Sequence, residues 1–249
     1  MKFEDHFSEL AETYSKYRPS YPLELFEYLS SICKTHQQAW DCGTGNGQAA
    51  ISLTDYFDKV HATDASKEQL QQAQSHPKII YKNEPAEKVS LENSNTDLVT
   101  VAAAVHWFDF EKFYAEVKRV LKPGGIIAVW GYHLFKITPA IDKLLKRYYS
   151  EILHDYWPTQ FHYVDTRYTD LPFPFEELIP PEFEMITEWN LDQVAGFLNS
   201  WSGTKIYLQK TGRHPLNEIW DDLTKAWGDE KISRTINWPL HMRVGKMDE

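Results

Sequence analysis

The chain has 249 residues, of which 42% are hydrophobic and 25% are charged; these values are typical of a globular protein and exclude disordered, collagen-like and coiled-coil classes. The formal net charge is -10 and is spread evenly along the chain, so nucleic acid is disfavoured as a partner.

The compartment is predicted from three sequence features. The N-terminus carries acidic residues where a signal peptide has a basic region, and no apolar stretch has the length of a membrane span. The two cysteines, Cys33 and Cys42, are typical of a reduced pair without a framework role. We therefore expect a cytoplasmic protein with no membrane partner.

The first half of the chain alternates between helix and strand patterns. The predicted helices cover residues 20–33, 48–57, 66–74 and 110–121, and the predicted strands cover residues 39–42, 59–64, 79–81, 97–105 and 126–130. The run from residue 97 to 105 is almost continuously apolar, as expected of a strand that is covered on both faces. This order predicts an α/β fold with a Rossmann-like, doubly wound and mostly parallel sheet.

The second half follows a different pattern. Helices are predicted over residues 140–153, 191–201 and 216–227, a loop-like stretch rich in proline and aromatic residues over 156–181, and a late strand over 236–244. We expect one compact domain with an insertion. Residues 1–132 form an N-terminal cap and a Rossmann-like core, residues 133–235 form a helical, aromatic-rich lobe, and residues 236–249 form a C-terminal strand that returns to the sheet.

A glycine-rich turn, Gly43-Thr44-Gly45-Asn46-Gly47, joins the first strand to its helix. Glycine permits positive φ angles and close backbone approach, so we predict a ligand site here; a tight turn without a ligand is the alternative. The dinucleotide fingerprint needs glycine at position 48, where Gln48 stands. Asp41, just before the turn, disfavours a pyrophosphate and suits a cation or ammonium group. Asp64 ends the second strand and is placed to bind ribose hydroxyls, or alternatively to cap the next helix.

The segment from Asp41 to Gly47 resembles the first motif of the class I S-adenosylmethionine-dependent methyltransferases. Four further segments match that family in order, and together they cover about residues 37–131: Thr63-Asp64, Pro85-Ala86-Glu87, Asp97 to Trp107, and Leu121 to Gly125. Residues 14–22 and 105–109 resemble the small-molecule branch that includes trans-aconitate methyltransferase-like enzymes. The family's first strand is usually more aliphatic than the one here, so Trp40 is the expected core anchor.

The resemblance implies S-adenosyl-L-methionine as the cofactor, S-adenosyl-L-homocysteine as its product, and an antiparallel last strand. The cofactor-binding residues that it implies are Tyr14, Arg18, Asp41, Gly43, Gly45, Gly47, Asp64, Ala65, Ala86, Glu87 and Val105. Tyr14 and Arg18 lie four residues apart and are expected to meet the methionine carboxylate; a surface packing pair is the alternative.

Methyl transfer is an in-line displacement that needs no nucleophilic residue on the protein. His106, at the carboxyl end of the fourth strand, is the candidate catalytic base, and a histidine that only orients substrate or is structural is the alternative. The candidate substrate-binding residues are Tyr21, Trp107, Tyr132, His133 and Trp201, with Trp157 and Arg167 as further possible lining groups. The tryptophans of the lobe alternatively fill its own core. The ten histidines show no ligand spacing, so no metal is expected.

We therefore predict an enzyme that methylates a small organic molecule, with O-methylation of a carboxylic acid as the leading subclass. An NAD-dependent oxidoreductase is one alternative and is disfavoured by Gln48. A non-catalytic cofactor-binding module that serves a protein partner is the other. The expected assembly is a monomer or a homodimer.

Overall fold

The structure, a computed structural model, describes residues 19–248. These residues divide into two compact units. The larger unit contains Tyr21–Tyr132, His162–Phe183 and the chain from Leu240 onward, and the smaller contains residues 19–20, His133–Phe161 and Glu184–Pro239. One boundary between the units therefore falls after residue 132. Residues 162–183, placed in the lobe by the sequence analysis, lie in the larger unit.

The elements up to residue 132 alternate as predicted. The helices are α1 (Leu23–Ser31), α2 (Gln48–Leu53), α3 (Lys67–Gln71) and α4 (Phe110–Val120), and the strands are β1 (Gln38–Cys42), β2 (Lys59–Asp64), β3 (Ile79–Asn83), β4 (Thr96–Ala102) and β5 (Leu121–Tyr132). The Ser66 hydroxyl caps α3 by accepting the backbone N–H of Gln69.

Beyond residue 132 the chain forms mostly short helices and three strands. In chain order these are α5 (Pro139–Arg147), α6 (His162–Asp165), β6 (Glu176–Leu178), β7 (Glu184–Trp189), α7 (Leu191–Asn199), α8 (Ser202–Thr211), α9 (Trp220–Trp227) and β8 (Arg234–Lys246). No helix within residues 19–248 combines the length and the apolar character that crossing a membrane requires.

The strand order is β3-β2-β1-β4-β5-β8-β6, with β7 paired to β8 off this path. Strands β1 to β5 pair in parallel, whereas β8 is antiparallel to β5, to β6 and to β7. This arrangement confirms the predicted Rossmann-like sheet, mostly parallel with an antiparallel last strand, and the helical character of the second half.

The middle of the sheet is covered on both faces. All five residues of β1 are buried, and six of the seven residues of β4 are buried. Trp40 is fully buried and donates its indole N–H to the Thr63 hydroxyl at 2.9 Å, so it is the core anchor that its position predicts. At the start of β1, the Asp97 carboxylate accepts the N–H groups of Gln37 and Gln38 at 2.8 Å, which aligns β1 with β4.

Several predicted boundaries are wrong. Helix α2 ends at Leu53 and α5 at Arg147, where a π-helical turn over Tyr148–Ile152 follows. The predicted helix over 216–227 is a 3-10 turn, Pro215–Glu218, followed by α9. Strand β5 begins at Leu121, five residues before the predicted start, because Leu121 already pairs with Thr96 through an irregular register.

Four elements have no counterpart among the predictions, and one of them is the four-residue helix α6, which lies in the stretch predicted as a loop. Strand β6 has only three residues and leaves two of them exposed, so its sequence carries no apolar pattern. Strand β7 alternates between buried and exposed positions, with Met185 and Trp189 inward, but polar residues interrupt the run. Helix α8 buries only Gly203 and Thr204 and therefore lacks an apolar stripe.

Candidate active site

The glycine-rich turn has the backbone that its sequence predicts. Gly43, Gly45 and Gly47 have φ angles of 68°, 57° and 85°, in the left-handed region that favours glycine. The Thr44 N–H donates to the carbonyl of Thr63 at 2.9 Å, which ties the turn to the end of β2. Gly47 then leads directly into α2.

Close neighbours restrict two of these glycines, whereas the third has more room. A Cβ at Gly43 would lie 2.7 Å from the Cβ of Ala104, and a Cβ at Gly47 would collide with the Tyr81 hydroxyl. At Gly45 the nearest atom of residues 19–248 is Oε1 of Gln69, 3.9 Å from the position of an added Cβ. The turn therefore packs against the segment after β4 and leaves a cradle over Gly45.

Asp41 lies behind the turn. Its side chain is fully buried, and its carboxylate accepts the hydroxyls of Thr44 at 2.5 Å and Thr100 at 2.9 Å. Burial raises the pKa of Asp41 to about 6, although the two hydroxyls and the Ala50 N–H stabilise the charge. The predicted direct contact of Asp41 with a ligand does not fit this burial, so its charge is what the carboxylate can offer to a ligand at the turn.

Asp64 joins the turn to α3. Its Oδ2 accepts the Gly45 N–H and its Oδ1 accepts the Ser66 N–H, both at 2.8 Å. A carboxylate offers about four acceptor positions, so about two remain for hydroxyl donors. The half-buried Asp64 therefore holds the loop and can still bind ribose hydroxyls.

The remaining predicted cofactor residues lie in other segments of the chain, mostly just after strands β2, β3 and β4. Ala65 is exposed, and its carbonyl accepts the Asn83 amide at 2.9 Å. Ala86 and Val105 are buried. Glu87 accepts the Asp109 N–H at 3.0 Å, which connects the segment after β3 to the start of α4. Tyr14 and Arg18 lie outside the described residues.

His106 lies in a 3-10 turn, Val105–Trp107, just after β4. Its side chain is buried, and its Nδ1 lies 3.1 Å from the hydroxyl of Tyr168. Burial lowers the pKa of His106 to about 4, so the imidazole is neutral at pH 7 and is a weak base. The neighbouring Trp107 is half exposed, with its ring centroid 5.0 Å from that of His106.

The other predicted substrate residues are divided between the units. In the larger unit, the ring of Tyr21 packs edge-on against Trp130 at 5.5 Å, and Tyr132 ends β5 half-buried. In the smaller unit, His133 packs against Tyr149 at 4.6 Å. These roles stay predictions.

The aromatic residues of the smaller unit pack against one another. Trp201 lies 5.9 Å from Tyr149 and 5.6 Å from Trp157, measured between ring centroids. Both tryptophans are half-buried, whereas Trp227 and Trp238 are fully buried. Core filling therefore accounts for Trp227 and Trp238 more completely than for Trp157 and Trp201.

Some residues of the site have no signal in the sequence. Tyr168 lies in the stretch predicted as a loop, and Thr100 lies inside an apolar strand pattern.

Arg167, a possible lining group in the sequence analysis, is exposed and lines a groove of about 500 Å³ with Thr169 and His241. Within residues 19–248, no three His, Cys, Asp or Glu side chains are grouped to hold a metal ion.

The comparisons with known proteins agree with this geometry. The family described as "Methyltransferase domain" matches residues 40–129. A protein of Dictyostelium discoideum assigned as a methyltransferase is 33% identical over 255 residues, which cover 99% of this chain and 97% of the relative. The chain belongs to the class I methyltransferases.

Two further relatives show how far the likeness extends. A solved structure of a protein from Anaeromyxobacter dehalogenans, assigned as a type II methyltransferase, is 37% identical, covers 93% of this chain and 99% of its own, and superposes with a TM-score of 0.87. A Saccharomyces cerevisiae protein assigned as an S-adenosylmethionine-dependent methyltransferase is 32% identical over 48% of this chain and 44% of its own length.

Proposed function

We propose that this chain transfers a methyl group from S-adenosyl-L-methionine to a small organic acid, and that the product cofactor is S-adenosyl-L-homocysteine. The observation that carries the proposal is the link between the glycine-rich turn and Asp64, next to an open cradle over Gly45. The family membership supports the same cofactor. The trans-aconitate methyltransferase-like branch and a cytoplasmic location belong to this proposal as well.

The residues around the turn fit this cofactor chemically. S-adenosyl-L-methionine carries ribose hydroxyls and an ammonium group, all of which donate hydrogen bonds. Asp64 retains acceptor capacity, and the Oδ1 atom of Asn46 is buried without a hydrogen-bond partner among the described residues. When bound, the cofactor supplies an electrophilic methyl group on a sulfonium.

The chain's own residues then bind the cofactor, orient it and exclude water from it. Asp64 and Asn46 accept hydrogen bonds, and the glycines allow the backbone to approach the ligand closely. The buried charge of Asp41 favours the positive charge of the cofactor. Tyr14 and Arg18 are proposed to meet the methionine carboxylate, and Ala65, Ala86, Glu87 and Val105 to lie along the nucleoside.

A carboxylic acid is the proposed acceptor because it is ionised at pH 7 and needs no general base. The low pKa of His106 supports this choice, since such an imidazole is poorly suited to deprotonate a phenol or an ammonium group. Trp107, Tyr21, Tyr132, His133 and Trp201 are the proposed substrate-binding residues.

Two alternative functions predict different behaviour. An NAD-dependent oxidoreductase is disfavoured by Gln48, where the dinucleotide fingerprint needs glycine, and by the carboxylate of Asp41, which would repel a pyrophosphate. A non-catalytic module would bind the cofactor but methylate no small molecule.

Calorimetry with S-adenosyl-L-homocysteine and with NAD tests the cofactor. We expect binding of the first and not of the second, and the reverse result would overturn the proposal. A screen with methyl-labelled cofactor against small carboxylic acids, phenols and amines then tests the acceptor. Label in a methyl ester is the expected product, and labelling confined to phenols or amines would contradict an acid acceptor.

A further inference from the structure

Tyr168 and His106 are 62 residues apart in sequence and meet inside the larger unit. The Tyr168 hydroxyl lies 3.1 Å from Nδ1 of His106, and both side chains are buried. The Tyr168 ring also packs against His241, with 4.7 Å between centroids. The contact therefore joins the segment after β4 to the loop before β6 and to β8.

The chemistry of this contact fixes where the protons lie. Burial raises the pKa of Tyr168, so its phenol keeps its proton. Among the described residues, His106 is the hydrogen-bond partner of that hydroxyl, and a buried O–H without an acceptor costs free energy. The hydroxyl therefore donates to Nδ1, and the single proton of the neutral imidazole lies on Nε2.

The backbone at Tyr168 is held in a costly conformation. Arg167 and Tyr168 have φ angles of 52° and 63°, in the left-handed region that side chains other than glycine rarely adopt. The Tyr168 N–H donates to the carbonyl of Tyr163 at 2.8 Å. Arg243 donates to the carbonyls of Tyr168 and Leu171 at 3.2 and 2.7 Å.

Arg243 is itself fixed by an ion pair with Glu177. Strain of this kind persists where surrounding contacts impose it, and it concentrates at functional sites. The contacts of Arg243 therefore hold the loop in the conformation that places the Tyr168 hydroxyl next to His106.

We propose that Tyr168 is a positioning residue that holds His106 as the Nε2-protonated tautomer, so that the imidazole donates a hydrogen bond to an anionic acceptor and does not remove a proton from it. This inference rests on the proposed function and defines its substrate class as acceptors that are ionised before they bind. In the transfer, an acceptor oxygen forms a bond to the methyl carbon, the carbon–sulfur bond breaks with its electron pair on sulfur, and no proton moves.

The test is nitrogen NMR of the full chain with labelled histidine, where His106→Gln identifies the His106 signals. In the unmodified protein we expect the Nε2 atom of His106 to be protonated and its Nδ1 atom to be unprotonated. Tyr168→Phe keeps the ring but removes the donor, so we expect a mixture of the two tautomers.

Tyr114→Phe is the matched control, because it removes a buried tyrosine hydroxyl that has no hydrogen-bond partner within the described chain. The His106 signals should not change in this variant. Protonation of Nδ1 in the unmodified protein, or identical His106 signals in Tyr168→Phe, would overturn the proposal.

A kinetic measurement complements the spectra once an acid acceptor is in hand. Tyr168→Phe should lower kcat/KM for the acid by about two- to tenfold, the cost of one hydrogen bond, and leave the affinity for S-adenosyl-L-homocysteine unchanged. An unchanged kcat/KM would refute the positioning role. Failure of the proposed function is a separate result, since it shows as absent cofactor binding whatever the tautomer of His106.

Discussion

The carboxylate of Asp64 accepts the backbone N–H of Gly45 at 2.8 Å, which connects the end of β2 to the middle of the glycine-rich turn. The same carboxylate accepts the N–H of Ser66. One side chain therefore sets the position of the turn relative to the start of α3. A ligand that binds Asp64 is held by the group that also shapes its cradle.

Asp64→Ala should weaken the binding of S-adenosyl-L-homocysteine by about 1 to 3 kcal/mol, because hydrogen bonds to a charged acceptor are lost. Isothermal calorimetry measures this change. Asp55→Ala is a suitable control, since Asp55 is an exposed aspartate just after α2. Equal affinity in both variants would show that Asp64 is not a cofactor ligand.

Gly45→Ala should destabilise the fold by about 1 kcal/mol, because alanine pays for a positive φ angle. Gly212 has a φ of 66° and no atom within 4 Å of an added Cβ, so Gly212→Ala should cost a similar amount. Only Gly45→Ala should also weaken cofactor binding, because its methyl group enters the cradle. Urea denaturation and calorimetry on both variants separate backbone strain from loss of the cradle.

Asp41 should make the stability of the protein pH-dependent in an unusual direction. Its pKa is raised from 3.8 to about 6 in the folded protein, so the folded state binds more protons than the unfolded state between these values. The contribution of Asp41 to the free energy of unfolding is therefore largest below pH 4 and falls as the pH rises to 6.

Asp41→Asn removes this titration. Relative to the variant, the unmodified protein should lose about 2 to 3 kcal/mol of stability between pH 4 and pH 7. Chemical denaturation of both proteins at several pH values gives the difference. A difference that stays constant or grows with pH would contradict the raised pKa.

Trp201→Phe tests whether the aromatic residues of the smaller unit select the acceptor. We expect a several-fold higher KM for the acid and a loss of stability below about 2 kcal/mol, because Trp201 is only half-buried. Trp227→Phe, at a fully buried position, should cost more stability and leave KM unchanged. If both variants change stability alone, Trp201 is a packing residue.

Local sequence pattern was sufficient to predict the parallel core of the sheet, but only part of the second half of the chain and only part of the site. The strands around Trp40 and the turn at Gly43 are encoded by neighbouring residues, so burial and glycine chemistry predict them. Tyr168 is placed by left-handed backbone angles and by Arg243, which is 75 residues away, and neither leaves a periodic signal. Strand β6 is likewise stabilised by pairing with β8 and not by its own sequence.

The support of Tyr168 by Arg243 also sets an order of assembly during synthesis. The glycine-rich turn, Asp41 and Asp64 all belong to the first third of the chain, whereas Arg243 lies on β8, the last strand. The turn and its neighbours Thr100 and Ala104 are therefore synthesised well before Arg243, the cation that holds the loop around Tyr168. Under the proposed role of Tyr168, the alignment of His106 is completed only when the final strand has been made and joined to the sheet.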